Sequence, residues 1–316
     1  MQWIMLAKID KLSLFANASL LWKFNNADLL PEVRDVFSKA IPLWYFLYDD
    51  VMETQKSPFS AISAANWFGD VAQAIERSHD ESEFHKVLER ANIDEDSGLF
   101  TGQKEVSMIL SVLWNCKPTQ RVWLELFCRH LEKFAYSQGR EIELRRRLLH
   151  PPLSPPIILE DYINFRGGHI CADTPISLMG ICADWPSTSE AVSLVQDLQP
   201  LCDNAMNFYN DAYSIRGEFD MHLFAEGFIS ERRAEEAYET LEKFITVGMA
   251  DGTIGENHQQ IIIDIVHFVY VTNHIITPKV YGAKDGTDHS RSRGESICIL
   301  SKKTITSLEE RLKKLF

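Results

Sequence analysis

Apolar residues recur at three- and four-residue intervals along most of this chain, and that spacing most restricts its fold. Val106 to Trp114, Arg121 to Tyr136, Ser230 to Met249 and Gln259 to Ile276 each place their apolar side chains along one face of a helix with 3.6 residues per turn. Alternating, strand-like patterns are scarce. Pro42 stands where a helix can begin, so the sequence predicts a helix over Leu43 to Thr54, aromatic and apolar at first and acidic at its end. Breaks are expected at Pro118, across 150–156, at Gly167-Gly168, Pro175, Trp185-Pro186 and across 250–252. Each is too short to be a linker between independent domains. With 316 residues of 45% hydrophobic composition, the chain can bury a large core. The expected architecture is all-α, one domain over 1–316 built from roughly ten helices, given usual helix and loop lengths. The polar, glycine-containing stretch 282–297 reads as a flexible loop or lid.

A net charge of −13 argues against a nucleic-acid surface, because phosphate backbones are held by clustered Lys and Arg. An acidic chain that binds a phosphorylated ligand needs cations or local arginines. The six cysteines are scattered, mostly beside apolar residues and without CxxC spacing, and read as buried thiols of a reducing compartment. No window approaches the ~18 consecutive apolar residues of a membrane span, and residues 1–10 lack a signal-peptide core. The expectation is a cytoplasmic protein with no stable membrane insertion.

Asn210, Ser214 and Glu218 fall at i, i+4 and i+8, so a helix carries them on one face over two turns. An amide carbonyl, a hydroxyl and a carboxylate make a hard, all-oxygen ligand set suited to Mg²⁺, whereas zinc would ask for His or Cys. The competing reading is the solvated face of an amphipathic helix. Asp49, Asp50 and Glu53 fall at i, i+1 and i+4 directly after Leu43-Trp44-Tyr45-Phe46-Leu47-Tyr48. Carboxylates held this close repel unless a cation or proton sits between them, and acids at a helix C-terminus oppose its dipole. Here the alternative is a helix end with solvated acids.

The aromatic helix leading into Asp49-Asp50-x-x-Glu53, followed by Asn210-Asp211-x-x-Ser214-x-x-x-Glu218, resembles the two metal motifs of microbial class I terpene synthases. Leu159 to Arg166 is similar to the family stretch that ends in a diphosphate-sensing arginine, and Ile229 to Ala237 to the start of the family's next helix. The likeness extends loosely over Leu30 to Tyr281. It implies a single-domain α-helical bundle of the class I terpenoid synthase type around an apolar cavity. Asp49, with Asp50 and Glu53, would hold Mg²⁺ from one wall, and Asn210, Ser214 and Glu218 from the other. Three Mg²⁺ ions are implied, with Mn²⁺ as a substitute. Arg166 would bind diphosphate, and Asp49, Arg166 and Tyr281 would be catalytic. Tyr45, Phe46, His169, Ile170 and Tyr213 would line the cavity. For Tyr45 and Phe46 the alternative is ordinary core packing; for His169 and Ile170 it is a Gly-Gly loop without chemistry. The implied substrate is a linear isoprenyl diphosphate, farnesyl (C15) or geranylgeranyl (C20), cyclised to a hydrocarbon or alcohol. Relatives often form homodimers.

Departures from the family pattern are specific. Glu53 stands where many relatives carry Asp. Fewer residues precede the first motif, so 1–30 reads as a shortened N-terminal cap. The family's terminal Arg-Tyr pair is met by Lys279 and Tyr281, with Arg291 and Arg293 as an alternative source of guanidinium, and lysine lacks the bidentate fork. For each of these basic residues a solvated loop is the alternative. Two other functions stay open: a chain-elongating prenyltransferase, which would carry aspartate-rich motifs on both walls, and a non-catalytic or degenerate helical binding protein.

Overall fold

The computed structural model describes residues 31–36, 40–41, 44–45, 48, 51–52, 57–77, 81–90, 103–148, 173–214 and 231–272, and the backbone alone at 31, 34, 81, 144–148, 209–214, 231–235, 238, 267 and 270–271. All regular structure among them is helical. No helix among the described residues is long and apolar enough to cross a membrane. The chain divides into two compact units, Met1–Thr188 and Ser189–Phe316.

In the first unit, α1 (Pro31–Asp35) is followed by helical backbone at 40–41, 44–45, 48 and 51–52. Then come α2 (Phe59–Arg77), α3 (Glu81–Glu89), α4 (Gln103–Cys116), α5 (Arg121–Leu148) and α6 (Asp173–Cys182). The pair α2 and α5 forms its backbone. Along α2, Ala61, Ala64, Ala65, Phe68, Val71, Ala72 and Ile75 are buried, and the small alanines let α5 lie close. At Gly139 of α5 an added Cβ would stand 3.4 Å from the Ala61 Cβ, at the edge of ordinary van der Waals contact, so the two helices approach closely there.

Trp123 of α5 is fully buried and organises the contact with α6. Its indole N–H donates to the Trp185 carbonyl at 3.2 Å, and the two rings meet edge to face with centroids 5.5 Å apart. Gly180 of α6 makes room for it: a Cβ there would lie 2.6 Å from Trp123 Cδ2. Since a buried indole cannot swing away, Gly180→Ala is expected to cost about 1–3 kcal/mol, the usual penalty of overpacking. Chemical denaturation followed by circular dichroism checks this; an unchanged midpoint would show that α6 slides freely.

The loop after α6 is pinned to the loop before α5. Asp184 takes a left-handed φ of 52°, and its carboxylate accepts from Lys117 Nζ at 2.7 Å and Gln120 Nε2 at 3.4 Å. Ser187 Oγ donates to Gln120 Oε1 at 3.1 Å. The breaks expected at Pro118 and Trp185-Pro186 are these two loops.

One expected boundary lies outside the described residues and another is corrected. Residues 40 and 41 are helical, π-type at 40, while Pro42 itself lies outside the described residues. Pro175 does not break the chain but is the third residue of α6, within the first turn, where a proline N–H would have had no partner anyway.

In the second unit, α7 (Ser189–Ser214) packs against α8 (Glu231–Asp251) and α9 (Gln259–Val271), with a 3₁₀ turn (Glu256–His258) before α9. Apolar Ile261, Ile262, Ile265, Val266, Phe268 and Val269 bury α9. The turn expected at 250–252 closes α8: Gly252 has φ +80°, and Thr253 donates its N–H and hydroxyl to Asp251 Oδ1 at 2.9 and 2.7 Å. Those bonds hold the Asp251 carboxyl below its ordinary range.

Candidate functional site

The second expected motif begins in the last turn of α7. Glu190 in the first turn of this helix faces the positive end of its dipole, and Pro200 interrupts the ladder midway, leaving the Gln196 carbonyl without its i+4 donor. Helical backbone continues through Ser214, so Asn210 and Ser214 occupy adjacent turns of one face. Tyr213 is also helical. Side chains at 209–214 lie outside the description, as does Glu218 entirely.

Toward the N-terminus the same face remains polar although it is buried. Gln199, Asp203 and Asn207 are at most 6% exposed, and on a regular helix they share an arc of about 80° with Asn210 and Ser214. Buried amides and carboxylates are costly unless they are hydrogen-bonded. Yet both amide atoms of Asn207, and Gln199 Nε2, have no hydrogen-bond partner among the described residues. Sequence reasoning did not single out these three residues. The signal was present, since spacings of three and four carry the motif's face upstream through Asn207, Asp203 and Gln199.

In the first unit, Asp49, Asp50, Glu53 and Phe46 lie outside the described residues. The helix before them is seen in part. Trp44 and Tyr48 stack at 5.0 Å, Tyr45 stacks on Phe134 at 4.2 Å, and Phe68 meets Trp44 edge to face at 5.9 Å. Tyr45 is therefore packed in an aromatic cluster. Tyr48 is fully buried and its hydroxyl has no partner among the described residues. Burial pushes its phenol well above the ordinary range, so it stays neutral.

Helix α6 joins α5 through polar contacts that are mostly buried. Lys133 Nζ pairs with Asp173, and His130 Nδ1 lies 3.0 Å from Ser177 Oγ, which in turn reaches the carbonyls of Asp173 and Thr174 at 3.0 Å. The segment before α6, with Arg166, His169 and Ile170, lies outside the described residues, as do Lys279, Tyr281, Arg291, Arg293 and the 282–297 loop. Cys128, Cys182 and Cys202 are buried free thiols, as expected, while Cys116 is half-buried. Burial raises the Cys182 thiol to about 12, leaving it protonated and unreactive.

Among the described residues no group of three His, Cys, Asp or Glu could hold a metal ion. The candidate ligands are of a different kind: Asn210 and Ser214, one turn apart, offer hard oxygens compatible with Mg²⁺ or Mn²⁺. The unpartnered amide of Asn207 lies on the same face one turn earlier, as befits a face that meets a polar ligand.

No protein-family model matches the chain, and no curated protein sequence matches it. Its fold is similar to the crystal structure of a point mutant of the SVS_A2 protein from ancestral sequence reconstruction. The two superpose with a TM-score of 0.57 at 16% sequence identity, covering 92% of this chain and 85% of the other. At that identity the likeness concerns the fold alone.

Proposed function

We propose that this chain is a class I terpene synthase, which ionises a linear isoprenyl diphosphate and cyclises the resulting carbocation to a terpene hydrocarbon or alcohol. The observation that carries the reading is the register of α7, which aligns Asn210 and Ser214 on one helical face that stays polar while buried. A solvated surface helix has no reason to keep Asn207 and Asp203 on that line. Asn210, Ser214 and Glu218, together with Asp49, Asp50 and Glu53, are the residues to hold Mg²⁺. When bound, divalent cations supply neutralisation of diphosphate charge.

The chain's own residues do the rest. Arg166 donates charge-assisted hydrogen bonds to diphosphate oxygens, with Lys279, Tyr281 or Arg291 closing the site over them. Tyr213, Phe46, His169 and Ile170 line the apolar wall. Aromatic faces along that wall stabilise passing positive charge by ~1–2 kcal/mol each and keep water away from it. Loss of the Arg166 guanidinium, in Arg166→Ala, is expected to slow diphosphate release about 10²-fold, as for other single donors to a developing anion. Unchanged release kinetics would move the sensor elsewhere.

Purified protein mixed with farnesyl or geranylgeranyl diphosphate and Mg²⁺, and examined by gas chromatography with mass spectrometry, tests the reading. A cyclic terpene with diphosphate release is expected. A longer isoprenyl diphosphate would instead identify a chain-elongating prenyltransferase, and no release from either substrate would leave a binding protein.

A further inference from the structure

Asn207 is 2% exposed, and neither its carboxamide oxygen nor its nitrogen has a hydrogen-bond partner among the described residues. An isoprenyl chain satisfies neither atom, and diphosphate, an acceptor, satisfies only the nitrogen. A ligand that donates and accepts at once satisfies both, and the smallest is water. Such a water needs two to four polar partners in a buried site. Asn207 supplies two, and the buried carboxylate of Asp203 follows one turn earlier on the same face. The face is the one that carries Asn210 and Ser214 in the next turns.

We infer that Asn207 holds a water which captures the carbocation, so that the product is an alcohol. The inference rests on the terpene synthase reading. A lone pair of the water oxygen forms the new C–O bond, and the oxonium proton passes to the released diphosphate. Allylic diphosphate and water become a terpene alcohol and protonated diphosphate, with no oxidant or reductant. Asn207 is a positioning residue here: its amide orients the nucleophile and takes no proton.

The test is turnover of farnesyl and geranylgeranyl diphosphates with Mg²⁺ in ¹⁸O-labelled water, for the wild type, Asn207→Leu and Asn207→Ala. Leucine nearly matches asparagine in shape and removes both polar atoms; alanine serves if leucine disturbs the fold, which circular dichroism monitors. Wild-type alcohol carrying ¹⁸O is expected. Its share of total product should fall about tenfold in the variants, the value of one or two lost hydrogen bonds, while diphosphate release persists. A purely packing role for Asn207 would slow release without shifting the ratio of alcohol to hydrocarbon. Hydrocarbon alone from the wild type, or an unchanged alcohol share in the variants, overturns the inference and leaves the synthase reading intact. Absence of diphosphate release from the wild type overturns both.

Discussion

Turnover of isoprenyl diphosphate should fall by about 10³-fold or more in Asn210→Ala, because losing a ligand removes several kcal/mol of charge stabilisation at the leaving group. Glu218→Ala should behave alike, since both side chains belong to one proposed ligand set. The helical signal should survive in each, as Asn210 lies in the last turn of α7 and truncation there leaves the buried stretch Leu194 to Phe208 intact. Raising Mg²⁺ should partly restore Asn210→Ala by mass action. Initial rates of diphosphate release across a metal titration make the measurement. Wild-type rates in either variant at ordinary Mg²⁺ would remove Asn210, Ser214 and Glu218 from the metal site.

The largest effect on stability is expected at Trp123. Trp123→Ala empties a fully buried indole site, removes the edge-to-face contact with Trp185 and leaves the Trp185 carbonyl without its donor. Large-to-small changes of this kind cost about 3–5 kcal/mol, a sizeable share of the ~5–15 kcal/mol that holds a typical domain together. Gly180 and the pinned loop at Asp184 limit how far α6 can collapse into the void. Denaturant unfolding should show a clearly lowered midpoint. A loss below ~1 kcal/mol would mean that α6 relaxes onto α5, in which case the cavity term is absent.

Helices with a clear apolar stripe were legible: α4, α5, α8 and α9 all lie where three- and four-residue spacing puts them. Helix α6 was not, because every residue of it except Pro175 is buried, and a helix covered on all sides has no stripe to read. Helix α2 was obscured for another reason. Its buried face is largely alanine, whose small apolar surface leaves a weak pattern. Pro175 misled because a proline inside a first turn looks, in sequence, like one that ends a helix. In the candidate site the register of Asn210 and Ser214 followed from spacing alone. That Asn207 and Asp203 are buried did not, since polar residues ordinarily mark the solvent side, and only packing from elsewhere in the chain reverses that expectation.

The buried indoles of the first unit carry a practical consequence. All seven tryptophans of the chain fall within Met1–Thr188, and Trp44, Trp67, Trp114, Trp123 and Trp185 are each shielded from solvent. Intrinsic indole emission therefore reports on that unit alone, and Ser189–Phe316 is spectroscopically silent at the same wavelength. A red shift that precedes the loss of far-ultraviolet ellipticity would reveal two unfolding steps, whereas coincident curves would mark a single cooperative one. The native distribution of fluorophores thus makes the chain its own reporter, with no label required.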